Sequence, residues 1–160
     1  MVGNDNTWDR LASDIEFAVG DACKQFRKLP AESIEARPNP GDWSVKEILG
    51  HLIDSAANNH QRFVRLQVAD NLAFPDYSQD NHAWISIQKY QEAPWDELLS
   101  VWRYYNLHLA RIIRTVDPDC TEHVWVVDKN TSISLGDLMT DYLRHLEDHL
   151  QQIKQNITAK

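Results

Sequence analysis

Apolar residues recur at alternating gaps of three and four positions along four stretches of the chain, which is the spacing of one face of an α-helix. These stretches predict helices over residues 7–28, 45–68, 94–116 and 134–156. The expected inward positions begin with Trp8, Leu11, Ile15, Val19, Ala22 and Phe26 in the first helix and Val45, Leu49, Leu52, Ala56, Phe63 and Leu66 in the second. The third and fourth helices contribute Trp95, Leu98, Trp102, Tyr105, Leu109, Ile112 and Val116, and Leu135, Leu138, Tyr142, Leu146, Leu150 and Ile153.

The predicted helix starts carry residues suited to the ends of helices. Ser44 and Glu47 fit a capping box, in which hydroxyl and carboxylate accept from otherwise unpaired backbone donors. Pro94 is expected at the first helical position of the third helix, because it has no backbone N–H to leave unpaired there. Ser134, with Asp137 three residues later, predicts a weaker capping box at the start of the last helix.

The connection over residues 70–93 is unusually long for a compact domain, and such connections are often functional. It is predicted to contain a turn at residues 74–77 and a short helix over residues 80–90, and its length allows the second and third helices to lie parallel. Residues 123–133 predict at most a small hairpin. The expected fold is therefore all-α, a four-helix bundle in one domain spanning residues 1–160, with a long crossover between helices two and three.

Composition and charge exclude several classes of function. The chain has 160 residues and a formal net charge of −8, which disfavours contact with phosphate backbones, so we expect no nucleic-acid partner. No apolar run approaches the ~20 residues that a membrane-spanning helix needs, and the first residues lack a secretory signal, so we expect a cytoplasmic protein. Cys23 and Cys120 match no metal or redox spacing and are expected to be core thiols.

Two of the seven histidines have the spacing of metal ligands. His145 and His149 are four residues apart on a predicted helix, so both rings project from one face and can reach a single ion. His51 lies at the edge of the apolar stripe of another helix, as this pair does, and bundle metal sites are built from facing helices. The alternative is that all three are half-buried histidines satisfied by hydrogen bonds, and spacing alone leaves both interpretations open.

Two segments resemble motifs of the DinB-like (DinB/YfiT) superfamily: residues 43–54, which read WSVKEILGHLID, and residues 142–153, which read YLRHLEDHLQQI. The resemblance covers nearly the whole chain. It implies a four-helix bundle with up-down-down-up topology and a divalent metal, usually zinc or nickel, bound by His51, His145 and His149. Members include thiol-dependent transferases and isomerases, and metal-dependent hydrolases, so the resemblance also implies that a low-molecular-weight thiol is a candidate cofactor.

Three histidine ligands would leave an open coordination position, where a divalent ion can lower the pKa of a water or hold a thiol as thiolate. Polar neighbours on the same helices could orient an imidazole or a substrate. These are Asp54, Asn58, Asp141 and Gln152, although each could equally be an ordinary solvated side chain. Asp54 is a candidate catalytic residue, and Asn58 and Gln152 are candidate cofactor-binding residues.

The long crossover supplies further candidates if it closes over a pocket. Asp80 and His82 are candidate catalytic residues, as a fourth ligand or a general base, and Tyr77 and Trp84 are candidate cofactor-binding residues. His60 is half a turn out of phase with His51 and should not join the site. No partner is evident for His108 or His123, so we expect structural or surface roles for them.

Three functional hypotheses follow for the chain. The first is a metal-dependent enzyme, of the thiol-transferase or hydrolase type, that acts on a small molecule. The second is a module that binds a metal or small ligand without turnover, and the third is a structural bundle with a vestigial site. A homodimer through an exposed helix face is compatible with the pattern, which locates no interface.

Overall fold

A computed structural model describes residues 7–73 and 79–158, so the predicted turn at residues 74–77 lies outside the described residues. The four long helices confirm the four-helix bundle expected from the periodic stripes, and the described part of the chain adds two short helices and one hairpin. In chain order the elements are α1 (Thr7–Phe26), α2 (Ala31–Glu35), α3 (Val45–Val68), α4 (Asn81–Gln88), α5 (Trp95–Arg114), β1 (Val124–Val126), β2 (Ser132–Ser134) and α6 (Leu135–Thr158).

Helices α1 and α5 lie antiparallel along much of their length. The end of α1 meets the start of α5, where the Phe26 and Trp95 rings are 6.3 Å apart. Toward the other end of the pair, Arg114 Nη1 donates to Glu16 Oε1 at 2.8 Å. Aromatic packing at one end and an ion pair near the other hold the pair in register.

Helix α3 packs between α5 and α6 and brings the central residues of the bundle together. It contacts α5 midway along both helices, where His60 Nδ1 lies 3.1 Å from the Tyr105 hydroxyl. The two helices run parallel, since Val68 at the end of α3 lines a pocket together with Thr115 at the end of α5. Helix α3 runs antiparallel to α6, since Asn156 near the end of α6 donates to the Trp43 carbonyl just before α3 begins. The beginning of α3 therefore faces the second half of α6.

The apolar stripes form the core almost as the periodicity predicts. All six inward positions of α3 and all six of α6 are buried. In α1 and α5, four of the predicted residues are only partly buried, although all four pack against the core: Trp8, Trp95, Tyr105 and Ile112. These four lie at helix ends or stripe edges, where a large side chain covers the core from its rim.

The helix boundaries confirm the predicted cap of α3, correct the position of Pro94 and show half of the capping box predicted at Ser134. Ser44 and Glu47 form the complete capping box of α3. Pro94 is the N-cap of α5 and not its first helical residue, because its backbone is extended (φ −62°, ψ 130°). Ser134 closes β2, and its hydroxyl accepts from the Asp137 N–H while donating to the Asp137 carboxylate.

The crossover after α3 contains the predicted short helix, α4, followed by a 3₁₀ turn over Tyr90–Glu92. The turn is anchored on α3 by Tyr90, whose ring occupies the space that a Cβ on Gly50 would need. Only glycine at residue 50 allows this close approach. The connection before α3 contains the five-residue α2, which is too short to show a periodic stripe and buries Ile34.

The predicted hairpin is present and pairs β1 antiparallel to β2, with Trp125 opposite Ile133. Leu72 forms an isolated parallel bridge with Trp125, so the start of the crossover is fixed against the hairpin. Cys23 is buried, as expected, whereas Cys120 is only partly buried, and both are free thiols. Within the described residues, none of the helices has the length and apolar character needed to cross a membrane.

Candidate metal centre

Three histidines from two helices converge where α3 faces the second half of α6. His51 is in the second turn of α3, which the Ser44 capping box starts, and His145 and His149 lie one turn apart on α6. One ring nitrogen from each histidine lies within 4.8 Å of the other two. The structure therefore brings together the three histidines that spacing and resemblance selected.

The rings meet at edges, with their nitrogens directed at one another. The Nε2 atoms of His51 and His145 are 3.4 Å apart. The His149 ring centroid lies 4.7 Å from that of His51 and 4.5 Å from that of His145. A tetrahedral ion with Zn–N bonds of ~2.05 Å would place two ligand nitrogens ~3.3 Å apart, so the His51–His145 spacing fits a shared ion without rearrangement.

Burial keeps the imidazoles of His51 and His145 neutral. The pKa of His51 is lowered to about 4, first by burial and then by the neighbouring His149 and His145. The pKa of His145 is also lowered to about 4, first by burial and then by His149. Neutral imidazoles carry the lone pairs that a metal ion needs, so these two rings are in the ligating form at neutral pH.

Two polar side chains contact the outward nitrogens of the α6 pair. His149 Nδ1 lies 2.8 Å from Gln152 Oε1, and because an amide oxygen only accepts, this contact assigns a proton to Nδ1. Ser55 Oγ lies 3.4 Å from His145 Nδ1. Gln152 was expected from the sequence, whereas Ser55 was not, although it follows His51 by one helical turn.

Trp43 covers the third histidine. Its ring centroid lies 5.2 Å from that of His51, and its Nε1–H donates to His82 Nδ1 at 3.2 Å. His82 thus lies at the N–H edge of the Trp43 indole, with ring centroids 5.1 Å apart, and the described structure gives it no direct contact with the trio. Trp43 was identified as part of a motif, but no pattern in the sequence indicated that it would touch His51.

Asp54 is buried on α3 but points away from the trio toward the crossover. Its Oδ1 accepts from the Tyr90 hydroxyl at 2.7 Å, and both carboxylate oxygens lie within 3.0 Å of Gln88 Nε2. Burial raises the pKa of Asp54, while the hydrogen bonds from Tyr90 and Gln88 act in the opposite direction. Asp54 therefore anchors the crossover on α3 and has no contact with the three imidazoles in the described structure.

The remaining candidates occupy separate positions. Asp80 caps α4 by accepting from the Ala83 N–H at 3.0 Å, and Trp84 is partly exposed on the same helix. Tyr77 lies outside the described residues. Asp141 is exposed and accepts from Arg144. Neither Asp80 nor Asp141 reaches the trio, because each is engaged at the surface of its own helix.

Asn58 lies beside the trio, where it lines a pocket that His51 and His145 also line. Its Nδ2 donates to Gln79 Oε1 at 2.7 Å. The same pocket is lined by Asn59 and Arg62, two residues that sequence reasoning missed. Their spacing from His51 along α3 was a usable signal, since eight and eleven residues return to the same helix face.

The other histidines have structural contacts. His60 is outside the trio, as expected, and packs against His108 with ring centroids 5.1 Å apart. His123, for which the sequence suggested no partner, places Nδ1 2.6 Å from the Leu66 carbonyl oxygen. These three histidines tie α3 to α5 and to the hairpin.

The donor set fits a divalent transition metal. Imidazole nitrogens suit zinc and nickel, and three of them leave a position for substrate. His51 is not held by hydrogen bonds on both sides of its ring, because Nδ1, the nitrogen away from the His145 contact, is buried with no hydrogen-bond partner among the described residues. A buried polar nitrogen without a partner is costly, so this cluster is poorly explained as three histidines satisfied by hydrogen bonds.

Comparison with known proteins is consistent with this architecture. Residues 21–153 match the family model of the DinB superfamily. A protein of Oceanobacillus iheyensis, named as a putative metal-dependent hydrolase, is 25% identical over 125 residues, which cover 78% of this chain and 71% of that protein. The structure of YfiT from Bacillus subtilis, described as a probable metal-dependent hydrolase with an unusual four-helix bundle topology, superposes with a TM-score of 0.83 at 18% identity, covering 96% of this chain and 87% of YfiT.

Proposed function

We propose that this chain, which belongs to the DinB superfamily, binds a divalent transition metal through His51, His145 and His149 and activates a nucleophile against a small-molecule substrate. The observation that carries the proposal is the convergence of three imidazole nitrogens, from two helices, within 4.8 Å. Zinc and nickel, the metals that the family resemblance implies, are among those that imidazole nitrogens bind. The names of the relatives, which describe metal-dependent hydrolases, agree with such a role.

Such an ion, when bound, supplies Lewis-acid chemistry that makes a water or a thiol nucleophilic near neutral pH. The chain's own residues hold the three ligands in place. Gln152 accepts from His149 Nδ1 and thereby directs Nε2 inward, and the Trp43 ring covers His51 and limits access of solvent from that side. The arrangement is thus rigid on the α6 side and shielded on the α3 side.

Two nucleophiles remain in competition, a water in a hydrolase and a low-molecular-weight thiol in a transferase. Water attack benefits from a general base. Within residues 7–73 and 79–158, the carboxylates of Asp54, Asp80 and Asp141 contact other partners. That observation favours the thiol, which needs no base once its pKa is lowered, whereas the names of the relatives favour water.

The engagement of these three carboxylates with other partners supports a second candidate, a module that binds a metal or small ligand without turnover. It differs from the enzyme in one measurable respect, the appearance of product. Both candidates require the metal, so metal content tests their common premise and turnover separates them.

The test begins with elemental analysis of protein grown with added zinc and nickel. We expect about one ion per chain in the wild type and in His108→Ala, an exposed histidine outside the trio, and almost none when His51, His145 and His149 are all replaced by alanine. Metal content that survives the triple replacement would overturn the assignment of the ligands.

Turnover is then assayed with ester and amide substrates, and with a low-molecular-weight thiol plus electrophilic acceptors. The enzyme hypothesis expects at least one reaction to depend on His51, with His108→Ala as the matched control. Reactions that proceed equally well in His51→Ala would refute it. Stoichiometric metal with no product in any assay would support the binding module.

A further inference from the structure

The three proposed ligand histidines are held in different ways. His149 Nδ1 lies 2.8 Å from Gln152 Oε1. His145 Nδ1 lies 3.4 Å from Ser55 Oγ. His51 differs from both, because its Nδ1 is buried and has no hydrogen-bond partner within residues 7–73 and 79–158. Ligand histidines are commonly oriented by a hydrogen bond to their second ring nitrogen, so the orientation of His51 depends on another kind of contact.

The indole of Trp43 provides that contact. Its ring centroid lies 5.2 Å from that of His51, and the two ring planes are inclined by 40°. His51 is only 7% exposed, and in an interior packed this closely a ring changes its orientation only when its neighbours move. Packing against Trp43 therefore restrains the plane of the His51 imidazole, in the place of a hydrogen bond.

Trp43 is in turn fixed by contacts to two other helices. Its backbone carbonyl accepts from Asn156 Nδ2 at 3.1 Å, which attaches it to α6. Its Nε1–H donates to His82 Nδ1 at 3.2 Å, and this N–H is the one polar group of an indole. The backbone of Trp43 is therefore held by α6, whereas its indole is oriented by His82 of α4.

Helix α4 owes its position to α3. Gln88 at the end of α4 donates to Asp54 Oδ1 at 2.9 Å, and the Tyr90 hydroxyl just beyond donates to the same oxygen at 2.7 Å. Asp54 follows His51 by three residues on α3. The contacts thus form a closed path that leaves α3 at Asp54, crosses α4 and returns through Trp43 to His51.

Part of this path lies at the surface. A cleft of about 600 Å³ is lined by Trp43, His82 and Gln152. Two of these three residues, Trp43 and Gln152, contact ligand histidines, so the cleft lies beside the supports of two ligands. None of the three is among the fully buried residues of the bundle, and substitutions outside the core usually have small effects on stability.

We infer that Trp43 is a positioning residue for His51 and that the docking of α4 regulates the metal site through it. His82 orients the indole, the indole restrains the His51 imidazole, and His51 supplies one of the three ligand nitrogens. Tight metal binding then requires α4 to be docked on α3. The inference rests on the proposed function of the same site and adds the means by which the crossover controls it.

The test uses variants that separate the ring of Trp43 from its N–H. Trp43→Leu removes the aromatic ring, and Trp43→Phe keeps a ring without the donor. His82→Phe keeps a ring without the acceptor, and the double variant Trp43→Phe/His82→Phe lacks both. The matched control is Trp95→Phe, which removes an indole N–H that donates to the Phe26 carbonyl at 3.3 Å. Competition with a chromophoric chelator gives the zinc affinity of each.

We expect Trp43→Leu to lower zinc affinity by about tenfold or more, as the loss of a ligand's supporting partner commonly does. Trp43→Phe and His82→Phe should each lower it by about twofold to tenfold, the usual value of one neutral hydrogen bond. The double variant should lose no more than either single variant, because both remove the same N–H···N contact. Trp95→Phe should leave the affinity within about twofold of wild type, since Trp95 does not contact the trio.

A second readout needs no metal. In metal-free protein with nitrogen-15-labelled histidine, long-range proton–nitrogen NMR spectra report the His51 ring, whose signals are identified by their absence in His51→Ala. We expect one sharp set in wild type and broadened or doubled signals in Trp43→Leu. The signals of His149, which Gln152 holds, should stay sharp in both. A variant that is only less stable would show a lower Tm with unchanged ring signals, and that result would contradict positioning.

Zinc affinity that is unchanged in Trp43→Leu overturns the inference while the proposed function stands. Losses that multiply in the double variant overturn the link through His82, and an equal loss in Trp95→Phe shows that removing any indole N–H has this effect. Wild-type protein that binds no zinc defeats the proposed function instead. In that case the NMR spectra still decide whether Trp43 holds the His51 ring.

Discussion

The side chains of His149 and Gln152 meet one helical turn apart on α6, with Gln152 Oε1 2.8 Å from His149 Nδ1. The amide oxygen can only accept, so Nδ1 carries a proton and Nε2 is the nitrogen available as a metal ligand. Partners of this kind orient ligand histidines in metal sites, and their loss commonly weakens metal affinity 10–100-fold. Gln152 is thus expected to act on the metal without touching it.

We therefore predict that Gln152→Leu lowers zinc affinity by roughly tenfold or more, because the His149 ring loses the partner that fixes its tautomer. Gln152→Glu should retain or increase affinity, because a carboxylate also accepts from Nδ1. Competition with a chromophoric chelator measures both values. Gln151→Leu, at an exposed neighbouring position, is the control, and an equal loss there would assign the effect to the helix surface and not to His149.

Gly50 and Gly20 provide a second, paired prediction. A Cβ on Gly50 would overlap the Tyr90 ring, whereas a Cβ on Gly20 would meet nothing within 4 Å. Gly20→Ala should stabilise the protein by ~0.5–1 kcal/mol, because alanine is the better helix former. Gly50→Ala should instead destabilise it by ~1–3 kcal/mol, because overpacking displaces the Tyr90 ring.

Urea unfolding of the two alanine variants measures this difference. The double variant Gly50→Ala/Tyr90→Ala tests the cause, since removing the ring should make the alanine at residue 50 harmless or favourable relative to Tyr90→Ala alone. If Gly50→Ala proves as stabilising as Gly20→Ala, the crossover is not anchored through this contact.

Metal binding should also raise the free energy of unfolding and the Tm of the protein. An ion at 100 times its dissociation constant adds ~2.7 kcal/mol to the free energy of unfolding, which corresponds to a rise in Tm of ~5–11 °C for a domain of this size. Differential scanning fluorimetry with added zinc should show the rise in wild-type protein and in His108→Ala, and chelator should reverse it. The same shift in His51→Ala would mean that zinc binds elsewhere.

The parts of the site that could be predicted from sequence are those that follow from helix periodicity. His145 and His149 share a face because they are four residues apart, and Ser44 with Glu47 form a cap because both lie within one helical turn. The motif around His51 added the third histidine. In each case the contact joins residues close together on one helix, or residues on the inward faces of two helices that pack against each other.

The contacts that were missed join segments distant in sequence. Trp43 meets His82, and Asp54 meets Tyr90, across the crossover, and no periodic pattern specifies how that crossover folds back. From the sequence alone, Arg62 cannot be distinguished from an ordinary solvated side chain. In the fold, Trp125 of the hairpin packs against its guanidinium. Polar residues at stripe edges are ambiguous for the same physical reason, since the next element determines whether they face water.

Asp54 gives a prediction with a defined pH dependence. Burial raises its pKa in the folded state, so the folded protein binds this proton more tightly than the unfolded chain. The associated stability is present at low pH and is lost as pH rises through the raised pKa. The substitution Asp54→Asn introduces an amide that does not titrate, so the variant would not lose this stability as pH rises. The amide could still accept from Tyr90 and reach Gln88.

We therefore expect Asp54→Asn to gain stability relative to wild type as pH rises from 4 to 7.5, as measured by urea unfolding at a series of pH values. Asp54→Ala should be less stable than Asp54→Asn throughout, because the hydrogen bonds from Tyr90 and Gln88 to residue 54 would be lost, at a cost of ~0.5–1.5 kcal/mol each, although Gln88 Oε1 would still accept from the Tyr90 hydroxyl. If the stability of Asp54→Asn relative to wild type instead falls as pH rises, the ionised carboxylate is the favoured form in the folded protein. In that case the hydrogen bonds from Tyr90 and Gln88 outweigh the cost of burying the charge.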